Sequence, residues 1–151
     1  MKTPINNTTS ITTKAPKWFV VLAVVLVLWN LMGVMAFMMQ ISMTAEQIAA
    51  LPPKQQSLYQ DIPLWVNIAF GCAVFGGTLG CIALAFKKAI ALPFLLISLV
   101  GTIMQMFHGF VLTKSYEQLA PQETILPVMI MIISLYLVWL TVHAKFKGWI
   151  T

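Results

Sequence analysis

The chain has 151 residues, of which 60% are hydrophobic and only 9% charged, far from the roughly 25% charged residues of an average soluble domain. Mean hydropathy is +0.88, so water is not its main solvent. A net charge of +5 would suit nucleic acid, but the lysines sit in short stretches between apolar runs, where they meet lipid headgroups instead; nucleic acid is excluded as a partner.

Residues 1–16 are rich in Thr and Asn, lack apolar periodicity and predict a disordered cytoplasmic tail. Four apolar runs follow at 18–40, 62–86, 90–113 and 126–143, none containing Lys, Arg, Asp or Glu. Each is near the ~20 residues that a helix needs to cross about 30 Å of hydrocarbon. The fold class expected is an all-α membrane protein, a four-helix transmembrane bundle over residues 17–147 with 148–151 as a cytoplasmic end. A membrane barrel is excluded, because its alternating ten-residue pattern is missing. The first run is too long for a cleaved signal core and predicts an uncleaved anchor.

Between the first and second runs, Thr44-Ala45-Glu46-Gln47 matches a capping box, and Pro52-Pro53 stops the short helix it starts. Pro63 and Pro127 are expected in the first turns of the second and fourth spans, where a missing amide costs nothing. Lys2, Lys14, Lys17, Lys87, Lys88, Lys145 and Lys147 fall on one side; Glu46, Asp61, Glu117 and Glu123 fall on the other with Lys54 and Lys114. The positive-inside rule then puts both termini in the cytoplasm. Trp18, Tyr59, Trp65, Tyr116 and Trp149 lie at the expected interfaces, as an aromatic belt requires.

Small residues on the second span, Ala69, Ala73, Gly76, Gly77 and Gly80, predict a surface for close helix packing. Cys72 and Cys81 lie on opposite faces of that span and read as small buried residues. The third span carries Ser98, Gly101, Thr102, Gln105, His108, Gly109 and Thr113 at steps of three and four, one polar stripe that should face protein or a cavity. Depth counting sets Asn67, Gln105 and His108 in the outer half, and Asn30, Thr102 and Ser134 or Tyr136 nearer the midplane. The candidate polar cavity is therefore Asn67, Gln105, His108, Asn30, Thr102, Ser98 and Tyr136. No zinc-spaced Cys and His set, phosphate-binding glycine loop, catalytic triad or buried carboxylate is present, so no metal, no cofactor and no enzymatic activity are expected.

The stretches Thr44–Gln47, Leu51-Pro52, Leu58-Tyr59, Pro63-Leu64-Trp65, Ala73–Gly77, Ala91-Leu92-Pro93, Ser98–Gly101 and Gln105–His108 resemble a group of small, uncharacterised bacterial four-span inner-membrane proteins, some labelled sugar transporters. The resemblance implies a bacterial inner membrane and transfers no functional residues. Two functions are expected from different classes. One is a structural or accessory membrane protein whose partners are lipids and a homodimer mate or another membrane protein. The other is a small-solute carrier or binder with Asn67, Gln105 and His108 around an outward-opening polar cavity.

Overall fold

A computed structural model describes residues 15–59, 62–113 and 121–151, apart from the side chains of 54, 57, 58 and 121–123. Residues 1–14 of the expected tail, and Asp61, Lys114, Tyr116 and Glu117, lie outside the described residues. The elements are α1 (Lys17–Ser42), α2 (Ala45–Ala49), α3 (Pro53–Tyr59), α4 (Leu64–Ala85), α5 (Ala91–Phe107), which runs on as a π turn (His108–Leu112), and α6 (Pro121–Phe146). Among the described residues there is no strand. α1, α4, α5 with its π turn, and α6 are each long and apolar enough to cross a membrane. The chain is thus a multi-pass membrane protein built as the expected four-helix bundle, since backbone groups in hydrocarbon must bond within their own helix.

α4 is the central helix. It packs along α5 and along α1, and α5 packs on α6. Among the described residues, α1 and α6 share buried core at the end that carries Lys87, Lys88, Lys145 and Lys147. There Phe19, Ala23 and Leu26 of α1 share one buried cluster with Leu84 of α4, Leu95 of α5, and Leu137, Leu140 and Ala144 of α6. Beyond Leu26 on α1, and before Leu137 on the described part of α6, no residue is buried. The bundle is therefore closed at its lysine-bearing end and splayed at its loop end.

Helix termini explain the tight end. α4 stops in a Schellman arrangement: the Lys87 N–H donates to Leu84 O (2.9 Å) and the Lys88 N–H to Ala83 O (2.8 Å), with Lys87 at φ 58°. α6 stops the same way, with Gly148 at φ 68° and the Trp149 N–H donating to Ala144 O at 2.9 Å. The turn after Gly148 drops Ile150 into the buried cluster. Thr151 then pairs with the α4–α5 turn, its N–H donating to Lys87 O and its carbonyl accepting from the Ala89 N–H, both at 2.9 Å.

Three details differ from expectation. Pro127 lies inside α6 rather than in its first turn, because the helix already starts at Pro121, itself suited to a first helical position. Cys72 is exposed while Cys81 is buried; on opposite faces of one helix, only one of the two can reach the core. The first loop holds two short helices, the capping box at Thr44 starting α2 and Pro53 starting α3.

Candidate functional site

The back wall of the site is the α4–α5 seam. Small residues bring the two backbones together: a Cβ at Gly76 would stand 2.9 Å from Phe94 O, and one at Gly101 2.5 Å from Ala69 O. The Ser98 hydroxyl crosses the seam and donates to Ala73 O at 2.6 Å. Gly80 faces Leu95, and Gly77 faces both Ser98 and the Asn30 carboxamide of α1. Ala69, Ala73, Gly76, Gly77 and Gly80 are all buried, packed by helices of their own chain.

This close seam divides the polar stripe of α5. At about 100° per residue, His108 lies only ~20° from Gly101, whereas Thr102 lies ~120° from His108 across the stripe. The Gly101 edge packs on α4, so His108 meets α4 as well: its ring stands edge-on to Trp65, centroids 5.4 Å apart at 82°. Thr102 and Gln105 line the space between α1 and α6, and Ser98 borders it where it bonds across the seam to α4.

That space is a cavity of about 360 Å³, within the ~300 to 1,000 Å³ of small-molecule sites. Asn30, Ser98, Thr102, Gln105 and Ser134 line it together with Trp29, Met32, Phe70, Ile130 and Ile133. A second cavity of about 320 Å³ shares Phe70, Thr102, Gln105, Leu126 and Ile130 and reaches Gln40, Gly109, Phe110, Thr124 and Pro127. The two make one cleft from mid-bundle to the loop end, with the π turn at its mouth.

The structure therefore brings four of the candidate residues, Asn30, Ser98, Thr102 and Gln105, to one cleft, together with Ser134. His108, Asn67 and Tyr136 lie outside its lining. Asn67 Oδ1 accepts from Gln40 Nε2 at 2.8 Å, linking α4 to α1. Tyr136 is exposed and stacks on Trp139 at 5.9 Å, the top of a ring ladder that descends through His143 to Trp149. Gln40 and Trp29 are cleft residues that sequence reasoning missed; Gln40 closes an apolar run and reads as a span boundary.

Most hydroxyl protons in the cleft are already directed at backbone. Ser98 donates to Ala73 O, Thr102 to Ser98 O (2.9 Å) and Ser134 to Ile130 O (2.9 Å). Asn30 Nδ2 donates to Leu26 O (2.8 Å) and toward Cys81 Sγ (3.6 Å). Gln105 is half-buried, and its carboxamide makes no hydrogen bond to any described residue. The cleft thus presents the Gln105 carboxamide, the Trp29 indole, the Thr124 hydroxyl and further hydroxyl lone pairs, with no titratable side chain among its lining residues. Among the described residues no cluster of His, Cys, Asp or Glu could hold a metal ion. Such a lining can bind and orient a molecule by hydrogen bonds and apolar contact. Comparison with protein-family models, with curated proteins and with solved structures gives no match.

Proposed function

We propose that this chain is a non-enzymatic inner-membrane protein of a bacterium that binds a small molecule in the cleft between α1 and α6, with both termini cytoplasmic and the cleft opening outward. The bacterial location rests on the resemblance noted above. The orientation rests on the lysine asymmetry. The binding role rests on one observation: the splayed half of the bundle encloses space at the depth where its polar side chains gather. A purely structural bundle gains stability by filling that volume with side chains, since unfilled core space forfeits dispersion contacts. The closed lysine-bearing end supports a binder of the outer leaflet or periplasmic side, or the outward-open state of a carrier.

Native mass spectrometry of the full chain released from membranes tests this reading. Ala36 lines the cleft and is exposed, so Ala36→Trp should fill it without disturbing the seam. The parent should carry a small-molecule adduct, displaced by organic solvent and missing from Ala36→Trp. Equal adducts on both proteins, or none on either, would sink the proposal.

A further inference from the structure

We infer that the ligand of this cleft is a neutral amphiphile with a single hydroxyl, carbonyl or amide at one end, taken up sideways from the lipid through the gap between α1 and α6. This rests on the binding role proposed above and names the class of molecule.

The gap is built into the packing. Among the described residues, the buried core shared by α1 and α6 ends at Leu26 and Leu137, and above that level Met32 and Leu126 are 66% and 54% exposed at the cleft's rim. In a bilayer those exposed apolar rims face acyl chains. A molecule with a long apolar body can lie in the gap with its tail among the lipids, so the body need not be fully enclosed.

The polar end is limited by the hydrogen-bond inventory. Because Ser98, Thr102, Ser134 and Asn30 direct their donors at backbone or at Cys81, the side-chain donors left for a ligand in the inner part of the cleft are the Gln105 carboxamide and the Trp29 indole N–H, aided by hydroxyl lone pairs as acceptors. One hydroxyl, carbonyl or amide matches that supply. A sugar carries several hydroxyls, and most would be buried against Phe70, Ile130 and Ile133 without partners, losing the bonds they make to water. A carboxylate or ammonium would be a buried unpaired charge, which costs more. Gln105 lines both parts of the cleft, so a head bonded there leaves the tail free to follow α6 outward.

The test is photolabelling of the full-length protein in phosphatidylcholine vesicles with a long-chain primary alcohol bearing a diazirine on its chain. Saturable labelling should map to the cleft faces of α1 and α6. It should be competed by unlabelled alcohol and not by glucose, and the diazirine alkane without a hydroxyl should label about tenfold more weakly. Gln105→Leu should bring alcohol and alkane to equal labelling while the unfolding midpoint stays near the parent's. Saturable labelling by a diazirine glucoside, or by the carboxylate or ammonium analogue, with none by the alcohol, would overturn the ligand class and leave the binding role standing. Absence of saturable cleft labelling by every probe would overturn both. An alcohol that outlabels the alkane equally in parent and Gln105→Leu would overturn the assignment of the head to Gln105.

Discussion

The carboxamide oxygen of Asn30 occupies the space into which a side chain at Gly77 would project, so α1 can approach α4 at mid-bundle only because residue 77 is glycine. The hydrogen a Cβ would replace points at that oxygen, a weak Cα–H contact of second-order energy. Asn30 is held there by its donors to Leu26 O and Cys81 Sγ. Gly77→Ala should destabilise the bundle by about 1 to 3 kcal/mol through overpacking. Truncating Asn30→Ala in the same chain should recover part of that loss, with a coupling of about 0.5 to 3 kcal/mol. Unfolding in mixed micelles measures the cycle, and simple additivity would mean the two residues do not meet.

The glycines should rank by what stands opposite them. Gly101 and Gly76 face backbone atoms, which cannot yield, whereas Gly80 faces the Leu95 side chain, which can turn aside in part. Gly101→Ala and Gly76→Ala should therefore cost more than Gly80→Ala. At Gly109 nothing lies within 4 Å of an added Cβ, and Gly109→Ala should be neutral or stabilising by up to about 1 kcal/mol. A reversed order in the same unfolding assay would mean the α4–α5 seam is not the tight one.

The four spans, the Thr44 capping box and the small-residue face of α4 were legible because each is a local pattern of composition or spacing. The division of the α5 stripe was not. A helical projection gives Thr102 and His108 their angles, but not that α4 stands at the Gly101 edge while an open gap stands at the other. Asn67 was expected near Gln105 from depth alone, yet Gln40, at the end of its run, reaches it first. The π turn at His108–Leu112 follows no sequence period, and Pro127 reads as a helix start because proline usually is one.

Lys87 holds a backbone conformation that costs a side-chain-bearing residue about 1 to 2 kcal/mol, at a position where glycine is the usual occupant. Glycine's greater freedom in the unfolded chain offsets part of that. Lys87→Gly should raise stability by about 0.5 to 1 kcal/mol. The counterpart Gly148→Ala, at φ 68°, should lower it by a similar amount. A stability loss in Lys87→Gly would show that the lysine side chain itself supports the closed end.

Topology is tested by placing single cysteines in a Cys72→Ala, Cys81→Ala background. Glu46→Cys in α2 should react with a membrane-impermeant maleimide in intact spheroplasts, and Lys88→Cys in the α4–α5 turn only after lysis. Reaction of both from the same side would contradict the positive-inside orientation and with it an outward-opening cleft.

His108 and Gln105 lie one turn apart on α5, yet their substitutions should act on different properties. His108 contributes its ring to an edge-on pair with Trp65, and such pairs contribute about 0.5 to 1.5 kcal/mol beyond area burial. His108→Ala should lose roughly that amount of stability, and His108→Phe, which keeps an edge toward the indole, should lose less. Neither should change cleft labelling by more than about twofold, because His108 lies outside the cleft lining while Gln105 reaches into both of its parts. Gln105→Leu should behave in the opposite way, with stability near the parent and the alcohol's advantage over the alkane gone. Both quantities come from the same vesicle preparation, so a variant that merely misfolds is recognised by its unfolding midpoint. If His108→Phe retained its stability but lost labelling tenfold, the imidazole would belong to the binding site and the division of the stripe at Gly101 would be wrong.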